Sequence, residues 1–153
     1  IKQEKINKNK NVLILGYGGA SQAIYYGLLF KGYKNVTVFN RSKKIIKMSG
    51  DNEYTKDYSL INQHLIKSDL IINTTPINPL NKKQTNLIKK TAIMSDIVYQ
   101  PKETSFLKEF KLNKKIYGIS MLIQQALPCF NQWFGFVPVV DEILIKKLHK
   151  KIK

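Results

Sequence analysis

One cysteine, Cys129, among 153 residues leaves no partner for an internal disulfide, and a lone thiol fits a reducing cytoplasm. Only two histidines occur, His64 and His149, and neither has a partner at ligand spacing, so no metal centre is expected and both read as surface residues. Acidic side chains are scarce, 10 against 26 Lys+Arg, for a net charge of +16. No apolar run is long enough to span a bilayer. The opening Ile1 to Lys10 is basic and polar, without the apolar centre of a secretory signal, so no membrane partner is expected. Arginine is almost missing, since Arg41 stands alone among the lysines. A nucleic-acid face is usually rich in arginine and interleaved with aromatics on one surface. Lysines spread along the whole chain, with abundant Asn and Ile, read instead as compositional bias, so no nucleic-acid partner is expected. A basic nucleic-acid binder is the alternative that a salt-dependent DNA shift assay would expose. The lysine surface should still steer anionic metabolites and phosphorylated cofactors, in a salt-dependent way.

What is present is enough apolar residue, 43% of the chain, for one domain with a buried core. Its organising stretch runs from Val12 to Lys31. Val12 to Leu15 is an unbroken apolar run suited to a strand buried on both faces, and glycines follow before an apolar helix begins. Gly16 allows a tight turn out of the strand, and Gly18 leaves no side chain to hold a pyrophosphate away from the helix N–H groups. Ser21 occupies the third glycine position of this fingerprint, where only a small residue is needed. Gly32 ends the helix, and Asn35 to Asn40 predicts a second strand, completing a βαβ unit of about thirty residues.

Further along, Ser42 is expected to cap a helix over Lys43 to Met48, closed by Gly50. Asp51 to Ser59 suggests a short edge strand and a turn, and Leu60 to Lys67 a helix. Asp69 to Asn73 reads as a strand and Leu87 to Lys90 as a helical turn. Ala92 to Tyr99 is the fifth strand, Thr104 caps a helix through Phe110, and Lys115 to Gly118 is a last short strand. Ser120 to Phe134 predicts a long helix with Leu122, Ala126, Phe130 and Trp133 at helical spacing. Val139 to Lys150 predicts another, striped by Ile143, Leu144 and Leu148. This alternation implies an α/β, Rossmann-like, doubly wound parallel sheet of about six strands with helices on both faces. Its ligand crevice belongs at the carboxyl ends of the strands, where Gly16, Asn40, Asn73, Tyr99 and Gly118 fall.

The tip of the second strand points to a cofactor. NAD-binding domains place an acidic residue there for the adenosine ribose, which also repels a 2′-phosphate. Here Asn40 and Arg41 stand in that place, followed by Ser42, Lys43 and Lys44. A guanidinium presents a planar fork matched to phosphate oxygens, so the expected cofactor is NADP in preference to NAD.

Five segments in order, GYGGAS, NRS, NTTP, DIVYQPKET and GISMLIQQALPCFNQWFG, resemble the nucleotide-binding half of the shikimate dehydrogenase family. The resemblance covers nearly the whole chain from Asn11. It implies that Gly16, Tyr17, Gly18, Gly19 and Ala20 hold the cofactor pyrophosphate, and that Asn40, Arg41, Ser42, Lys43 and Lys44 hold the 2′-phosphate. Asn73, Thr74 and Thr75 would lie along the cofactor, with Ile97, Gly118 and Met121 at its nicotinamide end. Tyr99 and Gln125 match positions that bind the shikimate hydroxyls and carboxylate region, chemistry that a phenol and an amide can supply. The reaction implied is NADPH-dependent reduction of 3-dehydroshikimate to shikimate, in the formation of aromatic amino acids. Departures from the family pattern are Gln22 for arginine, Gln100 for asparagine and Asn78-Pro79 for Gly-Met.

The family's catalytic lysine and aspartate belong to an amino-terminal substrate domain, and no position of this chain matches them. Ile1 to Lys10 is read as a linker remnant from that domain, and residues 11–153 as the NADP-binding domain. The substrate would then be shared with the absent domain, and the isolated chain would bind NADPH without turnover. Alternatives are an NAD-dependent quinate or shikimate dehydrogenase paralogue and a stand-alone, non-catalytic NADP-binding module. Oligomeric state stays open, a homodimer among the states allowed.

Overall fold

A computed structural model describes residues 7–48 and 52–151. Most of the expected linker, the expected helix end at Gly50 and the side chain of His149 lie outside the described residues. The first half runs β1 (Val12–Leu15), α1 (Gly19–Phe30), β2 (Val36–Phe39), β3 (Ile45–Ile46), β4 (Glu53–Tyr54), α2 (Ile61–Lys67) and β5 (Leu70–Asn73). The second runs α3 (Lys82–Thr85), β6 (Ile93–Asp96), α4 (Ser105–Lys108), β7 (Lys115–Ile116), α5 (Gly118–Phe134) and α6 (Glu142–Lys151). Five strands form one parallel sheet in the order β2-β1-β5-β6-β7, and β3 and β4 form a separate antiparallel pair.

β1 sits inside the sheet because its side chains are apolar on both faces, none more than 2% exposed. Burying each contributes about 1.5–3 kcal/mol. Leu13, Leu15 and Ile71 face a core completed by Ile61 and Leu65 of α2 and by Phe106 and Leu107 of α4. Val12, Ile14, Leu70 and Ile72 face the opposite core, where Tyr25 of α1 packs. The chain therefore has the doubly wound, Rossmann-like architecture that its alternation implies.

Ser21 does more than fit. Its buried hydroxyl donates to the Gly16 carbonyl at 2.7 Å, tying α1 back onto the turn that precedes it. Ser21→Ala should cost about 1 kcal/mol in urea unfolding. An unchanged midpoint would show that the bond contributes nothing.

Four local expectations need correction. Lys43 to Met48 is not helical: Ile45 and Ile46 pair with Tyr54 and Glu53, and Lys44 N–H donates to the Thr55 hydroxyl at 2.9 Å. Two adjacent β-branched residues suit a strand, and Ile46 is buried in the α1-side core. The helical turn comes at Lys82–Thr85, before Leu87, because Asn81 and Gln84 form a reciprocal capping box. β6 ends at Asp96 and not at Tyr99, since the Asp96 carboxylate accepts the Val98 N–H and turns the chain. His64 is half-buried against the Phe39 ring, centroids 5.2 Å apart, and burial followed by the charges of Lys56 and Lys67 lowers its pKa.

The tail also differs in detail. β7 is limited to Lys115–Ile116, with Gly118 opening α5, and α6 begins at Glu142 behind Asp141, which accepts the Leu144 N–H at 2.7 Å. α5 buries Ile119 and Ile123, whereas Leu122 and Trp133 of the expected stripe stand 40% and 72% exposed. Phe130, Phe134 and Phe136 cluster with centroids 5.0–6.4 Å apart on this exposed side.

Candidate cofactor groove

At the carboxyl edge of the sheet β1 and β5 are neighbours whose continuations part, one toward β2 and the other toward β6. Such a switch of direction opens a crevice. A groove of about 880 Å³ lies there, of a size suited to a bound small molecule. Gly16, Tyr17 and Gly18 line it from the turn, Asn40, Arg41 and Lys44 from the tip of β2, and Thr74 and Thr75 from the end of β5. The loop from Pro76 to Pro79 closes the side beyond β5.

The turn is built for close approach. Gly16 has φ +96°, and a Cβ there would stand 2.8 Å from both Thr74 Oγ1 and Thr75 Cγ2. The Thr74 hydroxyl donates to the Leu15 carbonyl at 2.7 Å, locking the two strand ends together. Gly18 and Gly19 are different: a Cβ at either would meet nothing within 4 Å. Gly18 is also the N-cap of α1 and offers no side-chain cap, so the first N–H groups of the helix are left to an external acceptor. Open space over uncapped amides fits a diphosphate. Ala20 follows in the first turn of α1.

The opposite rim is cationic. Among the described residues the Arg41 guanidinium makes no hydrogen bond or ion pair, though its charge acts on the neighbouring Tyr58 phenol. Burial pushes Tyr58 up to about 12 against that charge. Burial, then the Tyr26 hydrogen bond, raises Tyr17 to about 12 as well. Both phenols therefore bring no negative charge to the groove they line. Ser42 and Lys43 lie outside the groove lining, with Lys43 Nζ 4.2 Å from the Tyr54 ring centroid. Asn40 spends its amide on the Ser42 carbonyl, at 2.9 Å, and so shapes the bend that presents Arg41.

Asn73 is 1% exposed and acts from behind the wall. Its amide oxygen accepts the Thr75 N–H and hydroxyl at 3.1 and 2.7 Å, fixing the threonine that lines the groove. Ile97 and Gly118 are brought together, the glycine lying against the Ile97 and Val98 carbonyls. Met121 is partly exposed, Tyr99 and Gln125 are exposed, and none of them lines this groove.

Sequence reasoning missed Asp57, Tyr58 and Gln84 in the lining. Lys56 bridges to Phe39 at the edge of β2 and so delivers Asp57 and Tyr58 beside Arg41, a single-residue pairing too short to leave a periodic signal. The Ser59 N–H donates to Asp57 at 2.8 Å and lowers its pKa, so a carboxylate also faces the groove.

A family described as shikimate / quinate 5-dehydrogenase matches residues 1–106. The chain belongs to that family. It is 36% identical over 149 residues, 88% of this chain and 51% of the relative, to a shikimate dehydrogenase (NADP(+)) of Bartonella tribocorum. A shikimate dehydrogenase crystal structure in complex with NADP+ superposes with a TM-score of 0.74 at 27% identity, over 96% of this chain and 56% of that one. The quinate dehydrogenase of Corynebacterium glutamicum in complex with NAD shares the fold, with a TM-score of 0.74 at 20% identity over 94% of this chain and 56% of that one. The chain thus spans about half the length of the curated relatives it matches. Within the shikimate/quinate 5-dehydrogenase family it corresponds to the C-terminal, NAD(P)-binding half. Among the described residues no helix is long and apolar enough to cross a membrane.

Proposed function

We propose that this chain is the NADP-binding part of a shikimate dehydrogenase that reduces 3-dehydroshikimate to shikimate in a reducing cytoplasm. The observation that carries the reading is the pairing, across one groove, of open space at Gly18 with the guanidinium of Arg41, which has no partner among the described residues. The turn from Gly16 to Ala20 and the first amides of α1 take the diphosphate, and Arg41 with Lys44 takes the 2′-phosphate. Asn40 and Asn73 hold the two rims, and Thr74 and Thr75 form the wall between them. Ile97, Gly118 and Met121 belong to the nicotinamide end, and Tyr99 and Gln125 offer donors and acceptors to the shikimate hydroxyls and carboxylate. When bound, NADPH supplies the hydride.

The proton for the carbonyl oxygen is assigned to the substrate-binding half of a longer protein, and no residue of this chain is given that role. Residues 11–153 form the cofactor domain, and the exposed aromatic side of α5 with the apolar stripe of α6 is where the other half would seat. Calorimetric titration of the chain with NADP+ and NAD+ tests the reading. NADP+ should bind about tenfold tighter or more. Equal affinities, or no binding of either, would sink the assignment. The same preparation with NADP+ and shikimate should show no turnover, and rates of about 1–10³ s⁻¹ would overturn that part of the proposal.

A further inference from the structure

Asp96 is 1% exposed at the end of β6, and neither the groove lining nor the chemistry above uses it. A carboxylate so far from water persists only if its oxygens are satisfied. Three donors meet it. Thr104 Oγ1 donates to Oδ2 at 2.6 Å, Asn73 Nδ2 donates to the same oxygen at 3.2 Å, and the Val98 N–H donates to Oδ1 at 3.0 Å. Each donor belongs to a different piece of the cleft. Asn73 holds Thr75 and reaches the Ile77 carbonyl at 3.4 Å, so it shapes the groove wall. Val98 begins the segment that carries Tyr99, and its carbonyl, with that of Ile97, is the surface on which Gly118 starts α5. Thr104 caps α4 by accepting the Leu107 N–H at 3.2 Å.

We infer that Asp96 is a positioning residue: one buried carboxylate holds the groove wall at Thr74–Pro79 in register with the Ile97–Thr104 segment and the head of α5. This rests on the reading of the groove as the cofactor site. The acceptor-only chemistry of a carboxylate is essential to it. An ionised Asp takes all three donors at once, and it also fixes the Asn73 amide with its NH2 toward Asp96 and its oxygen toward Thr75. An asparagine of the same shape must turn its own NH2 either toward the Asn73 amide or toward the Val98 N–H, so a donor faces a donor in both orientations. One of the two connections then opens, and with it both segments lose the register that the shared carboxylate gave them.

The test compares Asp96→Asn, Thr104→Val and Thr104→Ser in the full chain, by NADP+ calorimetry and by amide NMR of the free protein. Asp96→Asn should weaken NADP+ binding by about tenfold or more. Thr104→Val should act in the same direction, and Thr104→Ser, which keeps the hydroxyl, should stay within about twofold. In the free protein Asp96→Asn should displace the Thr75 and Val98 amide signals together, and Thr104→Ser neither. Wild-type affinity in a folded Asp96→Asn variant overturns the inference, as does an equal loss in both Thr104 variants. If Asp96→Asn does not fold, the two Thr104 variants decide. If the wild-type chain fails to bind NADP+, the cofactor reading falls, and the joint or separate movement of the Thr75 and Val98 amides still decides the coupling.

Discussion

Alanine at position 118 will lower the unfolding free energy by about 1–3 kcal/mol, although it adds a good helix former to the first turn of α5. A Cβ there would stand 2.6 Å from the Val98 carbonyl oxygen and closer still to that of Ile97. Both obstacles are backbone atoms, which cannot swing aside as a side chain would. Either β6 and its continuation or the head of α5 must move. Gly27, inside α1, supplies the control. A Cβ at Gly27 meets nothing within 4 Å, so Gly27→Ala should stabilise by about 1 kcal/mol through helix propensity alone. Denaturant unfolding of the two variants therefore predicts opposite signs from the same chemical change. If both stabilise, the contact between α5 and the Ile97–Val98 backbone is not as tight as described. Because α5 also carries Met121 and Gln125, the displaced helix head would shift the residues assigned to the nicotinamide and substrate end.

The centre of this architecture is legible in the sequence because two simple signals coincide there. Val12 to Leu15 has no polar face, so it needs cover on both sides, and the glycines that follow occur where a strand must turn into a helix. Thr104 and Gly32 are likewise readable from capping and left-handed backbone chemistry, the latter with φ +85°. Several misreadings have a different cause: the segment is decided by a distant partner. Ser42 and Lys43 look like a helix start, but the Thr55 backbone and hydroxyl, over ten residues on, hold Lys44 extended. Asp96 looks like an interruption in an apolar strand, and its meaning depends on donors at Asn73 and Thr104. Asp57 and Tyr58 reach the groove through the pairing of Lys56 with β2. The helical stripe on α5 gives the right element and the wrong face, since a periodic pattern does not say which apolar side the rest of the chain covers.

Arg41→Ala should cost NADP+ binding about 1.5–3 kcal/mol, on the order of ten- to a hundredfold, and leave NAD+ binding unchanged. The asymmetry follows from what the guanidinium lacks. It holds no partner among the described residues, so its removal breaks no intramolecular bond and should leave stability nearly intact. What is lost is a planar, permanently charged fork facing the groove, which only the 2′-phosphate would use. Arg41→Lys should recover part of the loss as a point charge without the second parallel hydrogen bond. Lys44→Ala should matter less, because an exposed lysine contributes only about 0.2–1 kcal/mol and raised salt screens it. The nearby Asp57 carboxylate makes the comparison sharper. A weakly cationic rim that merely collects anions would lose much the same for either variant, and Asp57→Asn would then improve both cofactors alike. A rim that recognises one phosphate through Arg41 confines its loss to NADP+, so titration of both cofactors against the Arg41 and Lys44 variants separates recognition from steering. Equal losses for NADP+ and NAD+ in Arg41→Ala would refute the assignment of this guanidinium.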